Sequence, residues 1–473
     1  MKNMTVWNIA RACMGKLVVP MKKKADASCP RSGMATIRAA SGQEAKGIVI
    51  DSRKVEPGYV FVATKGERVD GHSFIPQVFE KGAIAVVCEK EPEELTGTCI
   101  VVKDSFQALK DIAEFYRQQR PIPMVGITGS VGKTSTKEFI ASVLAQKYKT
   151  HKTVGNFNNE IGVPLTLFGM PEDAEVAVVE MGINHFGEMH NLSKIVRPDI
   201  CVMTNIGQCH LEFLGSRDGI LKAKSEIFDF MNPEGSVCVN GDDDKLVTIE
   251  AVNGKKPVRF GFSSENEVYA DCIENHGLLG STATIHAGEC RFEAKIPLPG
   301  DHMVMNALAA TAVGLKMGLT CEQIAAGIAS VQAVSGRSRV VDCGDKVLID
   351  DCYNANPVSM KAAIDLLGLG LGRKVAVLGD MFELGELETQ MHGEIGRYAA
   401  ENGVDCLICA GERSKHMYEE AKLSGISEAH WFADRDEMMG QIGDLLKKGD
   451  SVLVKASNSM GFAEVVKMLE VKK

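Results

Sequence analysis

Residues 124–147 constrain the fold more than any other stretch. Met124–Thr128 is a near-continuous apolar run. A glycine-rich turn follows, and 134–147 then carries Thr136, Phe139, Ile140, Val143 and Leu144 at i, i+3, i+4, i+7 and i+8. A strand apolar on both faces that feeds an amphipathic helix is the repeating unit of a parallel α/β sheet. Further apolar runs at 176–180, 200–204 and 237–240 extend that sheet. Beyond residue 333, strand-like runs at 347–350, 375–378, 406–410 and 452–455 alternate with helical segments, one bearing Met360, Ala363, Ile364 and Leu367. This alternation predicts a second, doubly wound parallel sheet. Before residue 103 only short pieces, 47–50, 59–63 and 83–87, read as strands, among loops rich in glycine and charge. Residues 22–45 are polar, small and weakly periodic and read as a loop or insertion. A chain of 473 residues matches about three domains at roughly 150 residues each. The boundaries predicted are 1–103, 104–333 and 334–473.

Composition narrows the class. The 53 basic and 62 acidic side chains leave a net charge of −9. That balance argues against a general nucleic-acid binder, whose footprint is a basic face. Hydrophobic residues at 45% exclude a disordered chain. No run of 18 apolar residues exists to span a membrane, and Met21-Lys22-Lys23-Lys24 is followed by no apolar stretch that would make a signal peptide. A cytoplasmic protein is expected. The 14 cysteines are scattered and read as reduced thiols, mostly small core residues. Cys406 and Cys409 are spaced C-x-x-C but within a strand pattern. Residues three apart on a strand face opposite ways, so no metal or redox site is expected there.

The turn Thr128-Gly129-Ser130-Val131-Gly132-Lys133-Thr134 has the chemistry of a phosphate cradle. Glycines allow the tight turn, backbone N–H groups converge, and a helix N-terminus adds partial positive charge. Lys133 can reach the outer phosphates and the Thr134 hydroxyl can ligate Mg²⁺. The strict G-x-x-x-x-G-K-[ST] spacing fails because position 127 is Ile, but the strand–turn–helix context is that of a nucleoside triphosphate site.

Other candidates follow buried strands, where ligands of open α/β sheets collect. Glu180 ends one strand and could hold Mg²⁺ or position its water. His210 follows another, and Lys224 sits in a helical segment. Taken singly, Glu180 also reads as a solvated strand-end acid and His210 as a loop residue. Lys224 also reads as a helix-surface lysine paired with Glu226 or Asp229. In the last part, Asp351 could take ribose hydroxyls, while Tyr353 and Asn354 could meet an adenine or a substrate. The plainer reading there is a helix-capping loop with Asn356 or Ser359 as the cap.

Together, the loop 128–135, Glu180, His210, Lys224, Asn306-Ala307-Leu308-Ala309-Ala310 and Asp351 resemble the Mur ligases of peptidoglycan assembly. Asp51-Ser52-Arg53, 65–72, 155–166, 353–357 and 378–385 extend the resemblance over nearly the whole chain from residue 47. The central motifs alone also admit folylpolyglutamate synthases. The resemblance implies three α/β domains: a small mixed one holding the UDP end of a substrate, a central parallel-sheet domain of the P-loop ATPase type, and a Rossmann-like one binding an amine. It implies that the carboxylate of UDP-MurNAc-tripeptide attacks the γ-phosphate of ATP, and that D-alanyl-D-alanine displaces phosphate from the acyl phosphate.

The implied residue roles follow the same likeness. Thr134 and Glu180 would hold one Mg²⁺, and His210 with a carbamylated Lys224 a second. Thr128 to Thr134 would cradle the phosphates. Asn306 would meet the adenine, and Arg337 and Asp351 the phosphate and ribose. Ser52 and Arg53 would lie near the UDP, with Asn158, Asn354 and Asn356 as further substrate contacts. A monomer with small-molecule partners, and neither nucleic acid nor membrane, is implied. Two segments depart from the family pattern. Lys455-Ala456-Ser457-Asn458 stands where Lys-Gly-Ser-Arg is usual, and His302-Met303 where His-Asn is. Ligases adding a single amino acid, and a non-catalytic nucleotide-binding relative, are the competing readings.

Overall fold

The computed structural model describes residues 1–20, 38–66 and 69–470. Residues 21–37, which include the basic stretch and most of the polar insertion, lie outside the described residues, as do Glu67 and Arg68.

Three sheets follow one another along the chain. The first has five strands in the order Lys16–Val18, Cys99–Val101, Ala85–Cys88, Tyr59–Val62, Gly47–Val49. Its first pairing is antiparallel and the rest are parallel. The central sheet has nine strands. Seven of them, from Thr150–Lys152 at one edge through Val176–Glu180, Met124–Thr128 and Ile200–Met203 to Val268–Asn275, run parallel. Ser281–Ala287 and Cys290–Ile296 then extend that sheet as an antiparallel hairpin. This hairpin was not legible as a parallel-sheet strand, because Ser281–Ala287 alternates buried and half-buried positions. Alternation of that kind marks a sheet covered on one face only. The third sheet has six strands, parallel except for the antiparallel edge strand Arg339–Asp342.

The helix Lys133–Leu144 buries the expected stripe of Thr136, Phe139, Ile140, Val143 and Leu144. It packs on Asp301–Lys316 and Cys321–Ala329. The approach is close: a Cβ on Gly327 would lie 2.4 Å from Val143 Cα. The helix Ser105–Gln118 packs on elements of both the first and the central sheet regions. Their apolar residues, from Met4 through Ile112 to Leu246, form one continuous core. The third sheet has cores of its own on its two faces.

Cys406 and Cys409 fall on those opposite faces, as the strand period requires. Cys406 does approach Glu428 and His430, with possible ligand atoms within 4.8 Å of one another. Both Glu428 oxygens, however, accept from Arg373 at 2.9 and 2.8 Å, so a guanidinium already supplies the positive charge there. The expectation that the cysteines are all reduced is corrected at one pair. Cys290, opening a strand, and Cys321, opening a helix, are joined in a disulfide with Cα atoms 6.0 Å apart. They lie 31 residues apart in sequence, so their spacing gave no sign of it. No helix among the described residues is long and apolar enough to cross a membrane.

Candidate active site

A cleft of about 900 Å³ opens where the central and third sheets meet. Its floor is the turn between Met124–Thr128 and Lys133–Leu144. Gly129 (φ 147°) and Gly132 (φ 83°) take backbone conformations that favour glycine. A Cβ on Gly129 would also lie 2.0 Å from the Thr204 hydroxyl. Asn205 braces the turn: its carbonyl accepts from the Ser130 N–H (3.0 Å) and its Oδ1 from the Val131 N–H (2.9 Å). The following N–H groups open the helix and have no acceptor within it. N–H groups placed so could take an anion. Lys133 is folded across it, its Nζ donating to Gly129 O at 2.8 Å, and removal from water lowers its pKa.

Glu180 is only 1% exposed. It accepts from the Thr134 hydroxyl at 3.0 Å and from Asn158 Nδ2 at 2.8 Å. Lys137 Nζ lies 3.8 Å behind it. The solvated-acid reading of Glu180 is thereby corrected: its carboxylate is buried, and its hydrogen-bond partners are protein groups and not water. A hydroxyl and a carboxylate side by side are hard oxygen donors of the kind Mg²⁺ takes.

Lys224 is likewise 1% exposed, which corrects its reading as a helix-surface lysine. The partners imagined for it are taken elsewhere. Glu226 accepts from the backbone N–H groups of Gly187 and His190, and Asp229 pairs with His190. Lys224 instead faces Cys209 and Lys133, and burial brings its pKa down from 10.5 to about 8. His210 Nδ1 meets Glu383 Oε2 at 2.5 Å, across the junction of the two sheets.

The opposite wall comes from the third sheet. The Arg337 guanidinium lies 3.8 Å from the centre of the Tyr353 ring. Asp351 accepts from the Ser338 N–H at 2.9 Å and from Lys455 Nζ at 2.5 Å. Lys455 also donates to Asn354 O at 3.0 Å. At the two departures from the family pattern, Asn458 Nδ2 donates to Tyr353 O (3.0 Å) and Met303 Sδ lies 3.5 Å from Asn306 Nδ2. Asn306 is fixed by the Thr136 hydroxyl, which donates to its Oδ1 at 2.7 Å. Asn356 caps the helix Pro357–Gly368, accepting from the Ser359 N–H at 2.9 Å.

Thus Ser130 to Thr134, Asn158, Glu180, His210, Asn306, Arg337, Asp351, Asn354 and Asn356 share one cleft. Thr128 and Gly129 lead into the cleft lining, and Lys224 is buried near enough to Lys133 for the like charge to help lower its pKa. Ser52 and Arg53 are not brought there. They form a short 3₁₀ turn of the first domain, with Arg53 exposed and paired to Asp51. Sequence reasoning gave no role to Lys137 or Asn205, nor to Glu383 or Lys455, which lie within the quoted segments 378–385 and 455–458. Lys137 had a signal, since it lies one helical turn beyond Lys133, on the same face.

Comparison with known proteins gives three family matches in chain order. These are the Mur ligase family catalytic domain over residues 44–123, the Mur ligase middle domain over 127–314, and the Mur ligase glutamate ligase domain over 336–458. The chain is 38% identical, over 89% of its length and 93% of the relative's, to the UDP-N-acetylmuramoyl-tripeptide–D-alanyl-D-alanine ligase of Bacillus subtilis. It is 36% identical over the same shares to that of Escherichia coli. Among solved structures, MurF from Acinetobacter baumannii superposes with a TM-score of 0.86 at 32% identity, over 98% of both chains. The MurF ligase of Thermotoga maritima in complex with ADP gives 0.79 at 29% identity, over 90% of this chain and 97% of its own.

Proposed function

Because the chain belongs to the Mur ligase family, we propose that it joins D-alanyl-D-alanine to the terminal carboxylate of UDP-N-acetylmuramoyl-tripeptide. ATP would become ADP and phosphate, and the product would be the UDP-MurNAc-pentapeptide precursor of peptidoglycan. One observation carries this reading. A phosphate cradle, a buried oxygen cluster and a basic–acidic wall face each other in a single cleft between two domains.

The roles follow from chemistry. A carboxylate approaching a triphosphate is anion meeting anion, so the cleft must neutralise charge and align atoms. The turn 128–134 would hold the phosphates through its N–H groups, and Lys133 would swing from Gly129 O onto the outer ones. Thr134 and Glu180 would hold Mg²⁺, with Asn158 and Lys137 fixing the carboxylate. When bound, the ion supplies positive charge to the phosphate oxygens. Asn306, held by Thr136, would meet the adenine. Arg337 and Asp351 would meet phosphate and ribose from the third domain, while Asn354 and Asn356 border the amine side. Ser52 and Arg53 suit the UDP end, which a long substrate can place well outside the cleft. We assign UDP-substrate binding to residues 1–103, ATP to 104–333 and the amine to 334–473, in a cytoplasmic monomer.

Lys224 fits a carbamate. An amine with a pKa of about 8 keeps a substantial unprotonated fraction at neutral pH. The unprotonated form attacks CO₂, and the resulting carbamate replaces a buried cation with oxygen donors. With His210 it would hold a second Mg²⁺.

Phosphate release is the test. It should require ATP, UDP-MurNAc-tripeptide and D-Ala-D-Ala together. Release driven equally well by a folate and glutamate, or binding of ATP with no release under any acceptor, would overturn the proposal.

A further inference from the structure

The contact between His210 and Glu383 joins two domains. His210 opens the short helix Leu211–Leu214 of the central domain, and Glu383 lies beyond the strand Lys374–Gly379 of the third. Their 2.5 Å hydrogen bond spans 173 residues of sequence. Both residues are non-glycines with left-handed backbones, φ 54° and 64°. Such conformations persist only where the surroundings hold them, and they gather at functional sites.

The surroundings hold both ends. On the Glu383 side, the Met381 N–H donates to His392 Nε2 at 2.9 Å and the Phe382 N–H to Ser457 Oγ at 3.1 Å. The Arg413 guanidinium stacks 4.5 Å from the Phe382 ring. His392 itself is fully buried, its Nδ1 donating to Glu388 O at 2.7 Å. On the His210 side, Leu211 packs against the core of the first two domains and also against that of the third. The carboxylate and the imidazole are therefore presented to each other by rigid backbones.

A carboxylate on Nδ1 fixes the imidazole's proton at that nitrogen. It leaves Nε2 as the basic one and raises its strength as a ligand. We propose that Glu383 is a positioning residue for His210, and that their contact couples docking of the third domain to the readiness of His210 to hold a divalent cation. This rests on the reading of His210 as a metal ligand. Neither residue need touch the amine substrate for the coupling to operate. Closing the third domain onto the nucleotide would complete the metal site, and opening it would release His210 from its acceptor.

The test compares Glu383→Gln, Glu383→Asp, Glu383→Ala and His210→Ala in the full chain. Glu383→Gln should raise the Mg²⁺ concentration for half-maximal rate by about 10-fold, the low end of the loss seen when a ligand's supporting carboxylate is removed. The KM for ATP should move far less, and Glu383→Asp should recover part of the loss. Small-angle scattering of ligand-free, metal-free Glu383→Ala should show a larger radius of gyration than wild type. His210→Ala should expand the chain equally, and the double variant no further. If Glu383→Gln and Glu383→Ala keep wild-type Mg²⁺ dependence and dimensions while His210→Ala is inactive, the coupling is wrong and the ligase reading stands. Wild-type turnover and Mg²⁺ dependence in His210→Ala would remove the metal role itself, and the coupling with it.

Discussion

Replacing Lys224 with Met should stabilise the protein while abolishing its turnover. Burial lowers the pKa of this amine from 10.5 to about 8, a difference of about 2.5. At about 1.4 kcal/mol for each, the folded state bears about 3 kcal/mol for keeping the ammonium at pH 7. That is a large share of the roughly 5–15 kcal/mol by which domains are stable. The sign follows from the direction. The folded pKa is depressed, so the penalty is fully present below pH 8, shrinks between 8 and 10.5, and is absent above. Methionine has a similar length and no charge to desolvate. In CO₂-free buffer with a chelator, the urea midpoint of Lys224→Met should therefore exceed that of wild type by about 1 M at pH 7, given slopes of a few kcal/mol per M. The two should converge as pH passes 10. Ligation should fall by at least about 100-fold, the scale of losing one preorganised charged group. Lys224→Ala should regain some rate with added short carboxylates. A midpoint for the Met variant at or below wild type throughout pH 7–10 would refute the reasoning, because Lys224 would then not be a desolvated cation.

Two further outcomes follow from buried polar groups. His392 is buried with its pKa pushed down by desolvation, so it stays neutral in the fold while the unfolded chain takes up a proton near pH 6.5. Stability present above that pH should be lost as pH falls, by up to about 1.4 kcal/mol per pH unit for this one group; thermal melts of His392→Gln from pH 7 to 5 should show a shallower slope than wild type. Thr136→Val removes the hydroxyl that fixes Asn306 and should raise the KM for ATP about 5- to 10-fold, with kcat at saturation unchanged. An unaltered KM in initial-rate assays would show that Asn306 needs no such support.

Where a strand is apolar on both faces the chain announces it, and Met124–Thr128, Val176–Glu180 and Cys406–Ala410 were readable for that reason. Lys16–Val18, with three half-buried or exposed residues, carries no period at all. The glycine turn between Met124–Thr128 and Lys133–Leu144 was readable because its signal is local. Glu383 and Lys455 were not, since they meet His210 and Asp351 across 173 and 104 residues. Lys224 lay between these cases. Ile220, Ala223, Lys224 and Ile227 are all buried at i, i+3, i+4 and i+7, so the lysine interrupts an apolar stripe. A period count that allowed a charged residue in that stripe would have put Lys224 inside.

The apolar interior shared by the first and second domains bears on which piece of the machine travels. Two parts welded by packed side chains cannot slide without exposing them to water, so the first and second domains form a single anvil. The third part, resting on it through hydrogen bonds and a few leucine-sized contacts, is the hammer. Compounds that wedge into the junction at Leu211, which packs against both cores, should stall the enzyme without competing for any of its three substrates.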